Sequence, residues 1–169
     1  MSRNGLIAFG GYIATILLAN WLVQHVGIVH VGFGLMAPAG VYAAGLALTL
    51  RDLLQREWGR LPVVAAIIVG AGLSWFIAPS FAVASGVAFL VSELADFAVY
   101  TPLEQRSWLG AIGLSNTVGA MIDSYLFLTI SGLGLAFFWG QVVGKSWVTL
   151  ASVLLLAAGR RAVLARHAS

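Results

Sequence analysis

Six apolar stretches, each close to the roughly 20 residues that a helix needs to cross a bilayer, take up almost the whole 169-residue chain. They run near Gly5 to Gln24, Phe33 to Leu50, Pro62 to Ala78, Phe81 to Tyr100, Trp108 to Ile130 and Leu133 to Ala158. Hydrophobic residues make up 60% of the chain and charged residues 9%, against roughly 45 to 50% and about 25% in soluble domains. No soluble fold could cover that much apolar surface. The expectation is an all-α integral membrane protein, a single domain over residues 1–169 with six transmembrane helices.

The basic residues set an orientation. Arg3 precedes the first stretch; Arg51, Arg56 and Arg60 follow the second; Arg106 lies between the fourth and fifth; Arg160, Arg161 and Arg166 follow the last. The alternate connections, around His25 to His30, Ala78 to Ser80 and Ser131 to Gly132, hold no Lys or Arg. By the positive-inside rule both termini are cytoplasmic, in a multi-pass protein of the cytoplasmic (inner) membrane. The run Leu6 to Leu18 behind Arg3 is read as a retained helix, since no A-x-A-like cleavage pattern follows it and Trp21 suits an interfacial anchor.

Lys145 is the one basic residue inside a span, and it has acidic company in Glu93, Asp96 and Asp123. Charges at membrane depth cost about 2.5 to 3.5 kcal/mol even on the lenient insertion scale, so they mark a polar pathway or pair with one another. At about 1.5 Å per residue, Glu93 and Asn116 fall roughly 10 and 12 Å from the cytoplasmic end, Asp123 about 22 Å and Lys145 about 21 Å. Glu93 with Asp96, Asn116 with Gly119 and Asp123, and Gln141 with Lys145 each share a helix face. The polar positions converge on an interior, and Trp147 beside Lys145 offers a stacking surface. The alternative is structural: an Asp123 to Lys145 ion pair tying two helices, with the other acids hydrogen-bonded. Asn20 and Gln24 read as headgroup contacts. Asp52 and Arg56, at i and i+4 where the second helix leaves the membrane, read as a surface ion pair or a gate, with Arg51 beside them. Small residues such as Gly10, Ala14, Gly40, Ala44, Gly110, Gly113 and Gly119 allow close helix approach.

Other chemistries lack their parts. No basic run with interleaved aromatics points to nucleic acid. The chain has no cysteine, and His25, His30 and His167 lie in loops or the tail, so no metal site is expected. Ser85 has no histidine in any span to activate it, Glu93 and Asp96 on one helix cannot clamp a peptide, and no phosphate-binding loop occurs. The reading is a transporter with no catalytic residue and no cofactor, not an enzyme.

Three segments resemble the queuosine precursor transporter family, also called the vitamin uptake transporter family. They are Leu50 to Gly59, with Asp52 followed by Trp58-Gly59; Ser92-Glu93-Leu94-Ala95-Asp96 running into Tyr100-Thr101-Pro102; and Ser115-Asn116-Thr117-Val118-Gly119 through Asp123-Ser124, followed by Lys145. The chain departs from the family pattern at Arg56, where Glu is common. The resemblance implies import of a deazaguanine, such as cyano- or aminomethyl-deazaguanine, for queuosine synthesis in tRNA. On that reading Glu93 and Asp96 accept from the ring's donor edge, Asn116 makes mixed contacts, and Asp123, Lys145 and Gln141 bind the other edge or shape the cavity. Phe89, Phe97 or Trp147 would stack on the ring. The partners are then the ligand and the bilayer, with homo-oligomers allowed. The alternatives are a substrate-binding subunit of an energy-coupled vitamin importer, which requires an ATPase, and a non-transporting structural membrane protein.

Overall fold

A computed structural model describes the backbone of residues 2–167 and the side chains of residues 2–159; the side chains of Arg160, Arg161, Arg166 and His167 lie outside the described residues. Six helices follow in order: α1 (Arg3–His25), α2 (Val41–Trp58), α3 (Arg60–Ile77), α4 (Pro79–Leu103), α5 (Trp108–Ile130) and α6 (Phe138–His167). Among the described residues α1, α3, α4 and the stretch Leu135–Gly159 are long and apolar enough to cross a membrane. α2 and α5 carry Arg51 and Asp52, and Asn116 and Asp123, which lower their mean hydropathy. Large apolar side chains such as Ile68, Phe76 and Leu155 point outward, as a lipid-facing surface requires.

Helix ends follow local chemistry. The Ser2 and Ser107 hydroxyls accept from the amides of Gly5 and Gly110, capping α1 and α5. Gly59, at φ 83, turns α2 directly into α3, and Pro79 opens α4, where its missing N–H has no helical partner to lose.

The second predicted span is corrected. Its first residues, from Phe33, form no helix. They belong to a hairpin of β1 (Ile28–Gly32) and β2 (Leu35–Pro38), paired antiparallel with Val29 opposite Ala37. The β-branched Ile28, Val29 and Val31 favour extended backbone. Gly27, Gly32, Gly34 and even Phe33 take positive φ, which a helix does not accept. The helix therefore starts late, at Val41, and runs on to Trp58. Arg51 and Asp52, read as lying past the membrane end, are buried within the bundle, in the body of α2.

The helices alternate in direction. Ser2 bonds Glu57 at 2.5 Å, Arg60 donates to Thr101 at 2.7 Å, and the Arg56 guanidinium lies 4.2 Å over the Trp108 ring. The start of α1, the end of α2, the start of α3, the end of α4 and the start of α5 thus share one end of the bundle. Phe81 and Phe127, 6.3 Å apart, meet towards the other. Tyr12, Ile16, Ala47, Leu54, Ile67 and Phe89 form the central core of α1 to α4.

Close helix approach depends on fewer of the expected small residues, and on others. Gly40 lies against the Ala19 carbonyl and Gly119 against Leu48 and Asp96, but Gly10 and Gly113 open onto empty space, Gly110 meets only its own cap, and Ala14 is exposed. Gly45 fits against the Lys145 backbone, Gly70 against Ile16, and Gly140 against the Met36 backbone. A Cβ on Gly140 would run into the Met36 carbonyl, joining α6 to β2 too tightly to relax. Gly140→Ala is expected to lose about 1 to 3 kcal/mol as an overpacked site, read as a fall in the thermal midpoint of detergent-purified protein. Gly10→Ala should stay within about 0.5 kcal/mol.

Candidate functional site

Among the described residues, two buried ion networks lie within the bundle. The first is built by α2 and α4 around Arg51, whose side chain is fully buried. Its Nε donates to Glu93 and its Nη1 to Asp52, while Nη2 donates to the Glu93 carbonyl at 3.4 Å. Nη2 also lies 2.7 Å from Asp96 Oδ2, an ion contact that lacks hydrogen-bond geometry. Tyr12 of α1 donates to the other Glu93 oxygen at 3.2 Å, and the guanidinium stands 4.6 Å from the Phe97 ring centroid. The planar fork of arginine can reach three carboxylates at once, which a lysine could not.

Asp52 and Arg56 do not form the expected surface pair. Asp52 is buried on Arg51, and Arg56 instead stacks on Trp108. One turn above Asp52 on α2, Thr49 accepts from Asn116 of α5 at 3.4 Å. Glu93 and Asn116 are thus tied to α2 two residues apart, consistent with a shared layer, though no hydrogen bond joins them among the described residues.

The second network joins α5 and α6. Lys145 Nζ donates to Asp123 Oδ2 at 2.5 Å, to Ser124 Oγ at 2.8 Å and to Gln141 Oε1 at 2.8 Å. All three ammonium protons are used, which is what permits a lysine to be fully buried in a membrane span. Asp123 and Ser124 are adjacent, and Gln141 is one turn from Lys145, so two helix turns assemble the whole cradle.

Asn20 was expected among headgroups and is instead buried. Its amide donates to Ser74 of α3 at 2.9 Å and to Ser85 of α4 at 3.0 Å, tying three helices, whereas Gln24 is exposed. Trp147 does not join Lys145: its ring stacks on Phe33 at 5.9 Å and its indole N–H donates to the Val31 carbonyl at 3.1 Å, bracing the hairpin.

Between the networks lies a cavity of about 30 Å³, walled by Asn20, Ser85, Phe89, Asp123, Phe127 and Gln141. It offers two aromatic rings, one carboxylate, two amides and a hydroxyl. Of the residues singled out in the sequence, Asp123 and Gln141 line it. Lys145 stands behind Asp123, and Glu93 lies one turn beyond Phe89. Asp96, Asn116 and Trp147 do not line it. Ser85 entered the sequence reading only as a nucleophile without a base, and Phe127 not at all. Asn20, a carboxamide inside an apolar run, was a signal that the headgroup reading discounted.

The family model described as "Putative vitamin uptake transporter" matches residues 75–159, half of the chain. The chain belongs to the vitamin uptake transporter family. No curated protein and no solved structure matches it. As a member of that family, with its long apolar helices, it is a multi-pass membrane protein. The matched segment holds the whole Lys145 network together with Ser85, Glu93, Asp96 and Asn116. Tyr12, Asn20, Arg51 and Asp52, which complete the site from α1 and α2, lie before it.

Proposed function

We propose that this vitamin uptake transporter imports a queuosine precursor, a 7-deazaguanine such as cyano- or aminomethyl-deazaguanine, across the cytoplasmic membrane. It acts as a carrier, without catalysis or cofactor. The observation that supports this most directly is the cavity in which the Asp123 carboxylate, held by Lys145, shares walls with two phenylalanine rings and two carboxamides. A guanine-like ring presents an amide N–H and an exocyclic amine on one edge, which a carboxylate accepts as a pair, while Phe89 and Phe127 suit its faces. Asn20 and Gln141 offer amides to the remaining edge. Binding sites of this kind are largely apolar with a few placed polar groups. A water occupies about 10 to 15 Å³ on the same measure, so the present cavity is too small for a bicyclic ring. The cavity, in this reading, widens to admit the ligand as helices part. In this reading all six helices cross the membrane, and the end bearing Arg3, Arg56, Arg60 and Arg106 faces the cytoplasm. Glu93 and Asp96, held by Arg51, support the cavity floor and do not contact the ring.

The test is rescue of tRNA queuosine in a bacterial strain lacking both precursor synthesis and its own importer, supplied with nanomolar cyano-deazaguanine. Restored modification that is lost in Gln141→Leu at equal membrane abundance is the expected result. No rescue by well-expressed protein, with aminomethyl-deazaguanine also failing, overturns the substrate.

A further inference from the structure

The Arg51 network is unbalanced in charge. One guanidinium faces three carboxylates, Asp52, Glu93 and Asp96, each with a side chain at most 1% exposed. Fully ionised, the set would hold an uncompensated negative excess within the bundle. Among the described residues no second cation corrects it. From α3, Arg60 lies 5.8 Å from the Phe97 ring and donates to Thr101; on α2, Arg56 is stacked on Trp108; Lys145 is taken by Asp123; α1 offers only Tyr12, and α5 the neutral Ser115 and Asn116. A buried charge without a partner is far more costly than a neutral acid.

The three acids are not held alike. Glu93 has both oxygens bonded, by Arg51 and by Tyr12. Asp52 keeps one bond to Arg51. Among the described residues neither oxygen of Asp96 reaches full hydrogen-bond geometry, although Oδ2 touches the guanidinium and the Ser115 hydroxyl of α5 stands beside the carboxyl. A carboxylic acid at Asp96 is therefore the arrangement that the geometry accommodates best.

Several buried polar groups lie between this point and the basic end of the bundle. Among the described residues Asp52 Oδ2, Gln55 Oε1, Tyr100 OH and Trp108 Nε1 are buried without hydrogen-bond partners. Tyr100 is one turn past Asp96 and packs with Trp108. Trp108 in turn lines a cleft of about 330 Å³ with Asn4, Leu50, Arg56 and Glu57. In the opposite direction Glu93 is one turn from Phe89 in the cavity wall. Carboxylates in such positions are the usual elements of proton relays in transporters.

We infer that the Arg51 network is a proton site, with Asp96 the acid that carries the proton, and that import is proton symport. The proton joins Asp96 from the outer side while the site is open there. It leaves by way of the Tyr100 hydroxyl, which can both accept and donate, into the cleft that Trp108 lines at the cytoplasmic end, once the ligand has been delivered. Only an O–H bond forms and breaks, and the proton gradient supplies the driving force. This coupling rests on the import reading above, so two measurements are paired.

In proteoliposomes, cyano-deazaguanine is expected to exchange across the membrane without a gradient. It should accumulate above the external level only when the outside is more acidic, and an ionophore that collapses the gradient should abolish the excess. Exchange without gradient-driven accumulation overturns the symport and leaves the import reading standing. Absence of exchange overturns the import reading, and symport of this ligand with it. The proton site itself is read without any ligand, by infrared spectroscopy of the purified protein at neutral pH. A protonated-carboxyl band that Asp96→Asn removes and Asp52→Asn keeps is expected. No such band, or one indifferent to Asp96→Asn, overturns the site.

Discussion

Arg51→Leu is expected to cost about 3 to 5 kcal/mol of stability, the usual penalty for removing one partner of a buried ion network. Three carboxyl groups, all at most 1% exposed, would lose their common counter-ion and most of their hydrogen bonds at once. Arg51→Lys should recover only part of this, because an ammonium is a point donor that cannot fork towards Asp52, Glu93 and Asp96 together. Removing acids from the Arg51→Leu background tests the cause. Adding Glu93→Gln and Asp96→Asn should return much of the lost stability, since a neutral, hydrogen-bonded set often replaces a buried ion cluster at little cost. The measurement is the unfolding transition of the detergent-purified variants, followed by tryptophan fluorescence. A loss below about 1 kcal/mol for Arg51→Leu, the range of a solvated surface pair, would mean that the network is wet and exposed, contrary to its burial here.

Arg51 also shows where the sequence was hard to read. It follows Leu50, at the end of an apolar run, and in a topology count it is one more cytoplasmic arginine. Only the displacement of α2 along the chain, caused by the hairpin, brings it inside. That displacement was hidden because Phe33 to Leu50 is apolar throughout, and hydropathy does not distinguish a strand and turn from the start of a helix. The glycines at 27, 32 and 34 were visible, but their positive φ is a property of the fold. The heights of Asp123 and Lys145 were legible, since both were counted along unbroken helices, and the two meet at 2.5 Å. Asn20 was misplaced for the opposite reason: it lies near a span end, and its partners Ser74 and Ser85 come from helices whose rotation no single-helix pattern fixes. Trp147 was drawn to Lys145 by proximity in sequence, although two positions along a helix point to different faces.

Asp123→Asn is expected to abolish uptake, by at least roughly a hundredfold, because a site built to accept ring N–H groups leaves them unpaired when its acceptor is lost. The single substitution is ambiguous, however. It also strands the Lys145 ammonium, which is fully buried and keeps only Ser124 and Gln141, so the bundle should lose about 3 to 5 kcal/mol as well. Lys145→Met should do the same from the other side. The double variant Asp123→Asn with Lys145→Met separates the roles, since it removes both charges and restores electrical balance. If the pair serves only to hold α5 to α6, the double variant regains stability and uptake together. If Asp123 receives the ligand, stability returns while uptake stays at the level of Asp123→Asn alone. The second result is the expected one, measured as cyano-deazaguanine uptake beside thermal unfolding at matched membrane abundance. Recovery of both would reduce Asp123 to a structural tie and move the ligand to the carboxamide side of the cavity, at Asn20 and Gln141.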